Sequence, residues 1–186
     1  MLLTACTASS SAPVRRPSRP PGPVEVAVRA ALVPLETCVT TGPEQCFDGI
    51  DNNCNGLLEE GCGVTSGFVQ IVAGWSEPNA DIDLLVTDPA GELVRTGTVT
   101  TTGLRKERDC PKPDHPCRGQ NMENVYLEAG TEARPGIYRV VIRLERTNGA
   151  TLPVRVNVSA RLGPRSYGFS LAMEAQGTEK LATLRW

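Results

Sequence analysis

Between Cys46 and Cys62 the chain reads Cys-Phe-Asp-Gly-Ile-Asp-Asn-Asn-Cys-Asn-Gly-Leu-Leu-Glu-Glu-Gly-Cys. Asp51, Asn53 and Asn55, followed by Gly56, have the spacing of a calcium loop, in which alternate oxygen side chains turn inward around a bend that glycine permits. The Leu57 carbonyl would fill the next coordination position and Glu59 a further one, with Asp48 or Glu60 completing the shell. Residues 38–62 carry five acids, no Lys or Arg, and no His or Met. Hard oxygen donors favour calcium, whereas copper prefers imidazole, thiolate or thioether donors and is the poorer match. The plainer alternative is a disulfide knot whose acids are solvated. An EF-hand is excluded, because its twelfth position, a bidentate Glu, is Cys62 here and no helical pattern flanks the loop.

The cysteines set the compartment. They are Cys6, Cys38, Cys46, Cys54, Cys62, Cys110 and Cys117. Setting Cys6 aside leaves an even number, four of them eight residues apart and two bracketing a short loop, which is disulfide usage in an oxidising environment. The Cys110–Cys117 loop encloses the single histidine, His115. A zinc site from both thiolates, His115 and Asp114 would match none of the common zinc spacings, so a disulfide is expected.

Those motifs sit on a chain of 186 residues with a net charge of −2, which gives no general attraction for nucleic acid. Residues 1–6 end in Leu3-Thr4-Ala5-Cys6, which resembles the lipobox of bacterial lipoproteins. The resemblance implies that 1–6 is the remnant of a signal peptide, that Cys6 is lipidated, and that the membrane is reached through a lipid anchor. Residues 7–23, rich in Pro, Ser and Arg, cannot form a core and are expected to be a disordered tether. Residues 24–37 fit a short strand or linker, 38–62 a Cys-rich metal-binding module, and 64–186 a β domain.

In that last segment apolar residues alternate in turn-bounded runs. Val69/Ile71, Ile82/Leu84/Val86, Val125/Leu127, Ile137 to Leu144, Val154 to Leu162, Phe169 to Met173 and Leu181 to Trp186 each read as a strand. Seven or eight strands without a long amphipathic helix predict a mostly β protein, an antiparallel β-sandwich of Ig or jelly-roll kind. Asp81 and Asp83 share a strand face. They could hold a cation with Asp88 or Glu123, although bonding to nearby loop backbone is the simpler expectation.

Two resemblances extend this reading. Segment 46–62 resembles the metal-binding repeat named after the secreted copper protein MopE, and in style the calcium loops of thrombospondin type 3 repeats. Asn53 and Asn55 replace the usual acids there and Glu59 replaces Asp, which implies weak divalent binding. In addition, Asp81-Ile82-Asp83-Leu84-Leu85-Val86-Thr87-Asp88-Pro89-Ala90-Gly91-Glu92, Glu123-Asn124-Val125 and Pro135-Gly136-Ile137-Tyr138-Arg139-Val140 are similar to the core of YfaP-type domains. That similarity implies an extracytoplasmic β-sandwich without implying an activity.

The expected function is a cell-envelope lipoprotein, outer-membrane or secreted, with a calcium-stabilised motif and a sandwich that binds an envelope protein or glycan. It is not expected to be an enzyme. A purely structural envelope spacer and a hydrolase with its site in the 91–122 loop are the alternatives.

Overall fold

The computed structural model describes residues 26–29, 33–35, 40–112 and 115–186. Cys6, the 7–23 tether, Cys38 and Asp114 lie outside the described residues. Ten strands lie among the described residues: β1 Val26–Arg29, β2 Val33–Leu35, β3 Gly67–Trp75, β4 Asp81–Thr87, β5 Leu104–Lys106, β6 Met122–Glu128, β7 Ile137–Arg146, β8 Val154–Leu162, β9 Arg165–Met173 and β10 Glu179–Arg185. No helix occurs among the described residues. Two antiparallel sheets result, a four-stranded one ordered β1-β10-β7-β4 and a six-stranded one ordered β2-β9-β8-β3-β6-β5.

The strand runs follow from the alternation. In β8, Val154, Val156, Val158, Ala160 and Leu162 are buried while Arg155 is exposed, so one face of the pleat carries the apolar residues. Their counterparts Ile82, Leu84 and Val86 on β4, and Tyr138, Val140, Ile142 and Leu144 on β7, join them in one core cluster to which both sheets contribute. The strand expected within 24–36 is divided. β1 pairs with β10 and β2 with β9, so this short segment serves both sheets.

β3 departs from alternation, being buried on both faces from Val69 to Trp75. The physical reason is the disulfide module, which covers its outer face. There Val72 and Met122 pack against Leu58, with Phe47 and Val64 alongside. Burying both faces favours apolar or hydrogen-bonded residues; the buried Gln70 donates its side-chain amide to the Leu58 carbonyl at 3.3 Å, while its side-chain oxygen has no hydrogen-bond partner.

At the start of β7 the buried Tyr138 donates its hydroxyl to the Arg134 carbonyl at 2.9 Å. Burial pushes this phenol up to about 12, so it stays a donor at physiological pH. The contact has the geometry of the tyrosine corner that pins a strand to the turn preceding it.

Candidate functional site

The module is closed by a Cys46–Cys62 disulfide, and Cys54 is disulfide-bonded as well. Its approach to the sheet is backbone against backbone. A Cβ on Gly74 would lie 2.6 Å from the Asp48 carbonyl carbon, and one on Gly49 2.7 Å from the Asn157 carbonyl oxygen. Glycine at both positions is therefore a packing requirement. Two polar side chains of β8 fasten the contact: Asn157 donates to the Asp48 carbonyl at 2.9 Å and Ser159 to the Gly49 carbonyl at 2.7 Å.

Within the module the expected ligands divide into two sets. Asp51, Asn53, Asn55 and Glu60 gather around one turn. Asp51 accepts from the amides of Asn55 at 3.2 Å and Gly56 at 2.9 Å. The side-chain oxygen (Oδ1) of Asn53 accepts from the Asn55 backbone amide at 3.0 Å, and Oδ1 of Asn55 from the Leu57 backbone amide at 2.8 Å. The side-chain amides of Asn53 and Asn55 both donate to one oxygen of Glu60, at 2.5 and 2.6 Å. The second oxygen of Glu60 is buried without a hydrogen-bond partner. Burial acts to raise the Glu60 carboxyl, but bonds from Asn53, its own backbone amide and Asn55 outweigh it and hold the group below its ordinary range. This set, with the Leu57 carbonyl, is where a hard cation would find oxygen donors.

Glu59 and Asp48 form the second set and brace the module internally. Glu59 is fully buried and its two oxygens accept from the Phe47 amide at 2.5 Å and the Gly49 amide at 2.8 Å. Burial pushes its carboxyl up to about 7 against the pull of those two bonds. Asp48 accepts from the Ile50 amide at 2.9 Å and the Asn52 side chain at 3.1 Å. Glu44, which the sequence did not single out, bridges the amides of Asn52 and Glu59 at 3.0 and 2.9 Å.

A second acidic cluster lies at the edge where β4 meets β6. Carboxylate oxygens of Asp83, Asp109 and Glu123 lie within 4.8 Å of one another, close enough to hold a metal ion. The cluster also has cations of its own. Lys106 is buried with its ammonium 2.7 Å from Glu123 and 3.7 Å from Asp109. Arg143 reaches Asp83 at 2.9 Å, and Lys112 pairs with Asp109. Burial drives the Glu123 carboxyl well above its usual range, opposed by Lys106. For Asp109, burial is outweighed by the Lys112 bond, the Lys106 charge and the Thr96 hydroxyl, which bring it down to about 2. Asp83 and Glu123 were candidates from the strand pattern, whereas Asp109 and Lys106 were not. The single signal for Lys106 is its place two residues after Leu104 in a run too short to show periodicity.

The other acids considered as ligands have different roles. Asp88 accepts from the amides of Ala90 and Glu92 at 2.9 and 2.8 Å and from the Thr102 hydroxyl at 2.6 Å, and so caps the turn after β4. Asp81 is nearly buried, 4.0 Å from Arg146.

Beyond β5, the Cys110–Cys117 disulfide forms as expected from the spacing. A cleft of about 870 Å³ opens beside it, within the 91–122 excursion. No protein family, curated protein or solved structure matches this chain.

Proposed function

We propose that this protein is an extracytoplasmic binding module, a β-sandwich of Ig or jelly-roll kind, anchored through a lipid on Cys6 and stiffened by calcium in the 46–62 loop. Its partner is an envelope protein or a glycan, and no catalytic step is assigned to it. The observation that carries the reading is the convergence of Asp51, Asn53, Asn55 and Glu60 on one turn of a disulfide-closed loop. The two facing sheets with one shared core, and the Tyr138 corner, support the sandwich. The disulfides support an oxidising compartment. Among the described residues no helix is long and apolar enough to cross a membrane. The resemblances to the MopE repeat and to YfaP-type domains point the same way, and the cleft beside the 110–117 loop favours a binder over an inert spacer.

The test is calcium titration of the full, oxidised chain by calorimetry, with the melting temperature followed in parallel. With Asn at two ligand positions, the dissociation constant should fall in the range of weak extracellular sites, about 10⁻⁴–10⁻³ M. At a calcium concentration equal to that constant the fold gains about 0.4 kcal/mol by mass action. Asp51→Ala should abolish the calcium response while the sheets stay folded. No calcium uptake at millimolar concentration, or tighter binding of copper, would overturn the assignment.

A further inference from the structure

We infer that one end of the molecule, where Phe68, Ile137 and Trp186 meet a set of arginines without ion pairs, rests on an anionic phospholipid surface. The inference deepens the reading of the protein as a lipid-anchored module and rests on that reading only for the anchor, because the surface is tested on the unlipidated chain.

Both sheets build this end. The rings of Phe68 on β3 and Trp186 after β10 meet edge to face, with centroids 5.1 Å apart and planes at 82°. Gly163, in the turn between β8 and β9, leaves room for them, since a Cβ there would lie 2.9 Å from the Phe68 ring and 3.1 Å from the Trp186 ring. Trp186 exchanges two backbone hydrogen bonds with Gly136, and the next residue, Ile137, is in register with Arg185. Phe68 and Ile137 are 36% and 41% exposed, and Trp186 is partly exposed. Exposed apolar groups around an indole suit the boundary between water and lipid, where tryptophan settles at the level of the headgroups.

Charge selects the surface. Arg139 and Arg185 share the outer face of the four-stranded sheet, Arg139 opposite Thr183 and Arg185 opposite Ile137. Arg165 opens β9 beside Gly163, and Arg134 precedes β7. All four are exposed, and none forms an ion pair among the described residues. The acids near them are mostly taken: Glu128 faces Arg105 at 3.8 Å, Asp88 accepts from Thr102 and Glu92 from Thr101, which leaves Glu132. At the opposite end the balance reverses, with Asp81, Asp83, Glu145 and Glu179 crowded around Arg143 and Arg146. A layer of lipid phosphates therefore attracts the first end and repels the second. Free phosphate would leave Phe68, Ile137 and Trp186 unused, whereas a bilayer engages them together with the guanidiniums.

The topology brings the anchor to the same end. Val26, the first residue of β1, is in register with Leu184, two residues before Trp186, so the preceding chain joins the fold here. Cys6 lies twenty positions before Val26, a span of at most about 70 Å. That span adds Arg15, Arg16 and Arg19 against the single acid Glu25. A lipid on Cys6 would hold this end close to the bilayer, where even a weak contact is made effective by proximity.

The experiment is co-sedimentation of the full, oxidised, unlipidated chain with vesicles of phosphatidylglycerol and phosphatidylethanolamine, compared with vesicles of phosphatidylcholine alone. Partition onto the anionic vesicles should be stronger by about tenfold or more and should fall as salt is added. Lipid brominated in the acyl chain should quench Trp186, the other tryptophan, Trp75, being buried. Arg139→Gln/Arg185→Gln should weaken partition by about tenfold or more. Ile137→Ser should weaken both partition and quenching with no change of charge. Arg155→Gln, exposed at the far end of β8, removes an equal charge and should partition like the unaltered chain. All the substituted side chains are exposed, and an unchanged melting temperature confirms that each variant is folded. The inference is overturned if anionic vesicles bind no better than neutral ones, if the double arginine variant partitions like the unaltered chain, if Arg155→Gln loses as much as that variant, or if Trp186 stays unquenched. A dimer in solution that Ile137→Ser abolishes, in place of vesicle binding, overturns it too. Absence of fatty-acid labelling at Cys6 in cells would remove the anchor from the proposed function and leave vesicle binding by the unlipidated chain as a separate result.

Discussion

The ammonium of Lys106 and a carboxylate oxygen of Glu123 lie 2.7 Å apart, both side chains enclosed, and that same oxygen accepts the Leu84 amide at 2.6 Å. The pair thus joins β5 and β6 of one sheet to the open edge of β4 in the other. It satisfies a backbone donor that would otherwise face no strand, and an unpaired edge is a place where sheets extend into aggregates.

Lys106→Met should destabilise the fold by about 3–5 kcal/mol, because it leaves Glu123 buried without its counter-charge. Adding Glu123→Gln to that variant should restore a substantial part of the loss. Urea denaturation of the two single variants and the double variant measures both effects. Simple additivity would show that the pair does not act as a unit.

Asp81 gives a pH signature. Burial first, and the neighbouring charge of Asp83 second, push its carboxyl up to about 6, with Arg146 opposing. A raised carboxyl binds its proton more tightly folded than unfolded. Its contribution is therefore complete below its unfolded value of about 4 and is lost as pH rises through about 6. Asp81→Asn should flatten the melting temperature across that window relative to the unaltered chain. Parallel pH dependence in the two proteins would assign the effect to another group.

Restoring acids in the module should strengthen calcium binding. In Asn53→Asp/Asn55→Asp the added charge replaces neutral amides at ligand positions, and affinity in such loops follows ligand charge. Calorimetry should show a dissociation constant lower by about an order of magnitude or more. In calcium-free buffer the same variant should be less stable than the unaltered chain, since Glu60 would lose both amide donors and face two further acids.

Gly74→Ala tests the docking of the module. The added methyl would meet the Asp48 backbone at 2.6 Å and the Gly49 amide nitrogen at 2.7 Å, and neither can swing aside as a flexible side chain would. A loss of about 1–3 kcal/mol is expected, with faster amide exchange across residues 46–62 than in the rest of the chain. Uniformly faster exchange would mean that the module and the sheets open together.

Much of the fold was legible because strand alternation is local. Val154 to Leu162 announces its inner face residue by residue, and β4, β7, β9 and β10 do so nearly as well. β5 was not legible, since three residues are too few to display a period. β3 was legible as a strand but not as one covered on both sides, because its cover comes from a segment folded over it from outside. The cation loop shows the same division. Spacing named Asp51, Asn53, Asn55 and Glu59, with Asp48 or Glu60 to complete the shell, yet the fold turned Glu59 inward to hold Phe47 and Gly49, set Asp48 against Ile50 and Asn52, and left Asp51, Asn53, Asn55 and Glu60 around the turn.

The sequence by itself determined what depends on neighbours along the chain. That includes the strand faces, the glycine bends, the oxygen-rich loop and the closure of Cys110 with Cys117, for which seven residues of separation suffice. Only the tertiary structure decided what depends on groups distant in sequence. It put Gly49 against Gly74, set Lys106 among Asp83, Asp109 and Glu123, and laid Arg108 on Phe47. The reason is physical: burying a charge or bringing two backbones into contact is favourable only when a partner from elsewhere in the chain supplies the missing bond or the missing space.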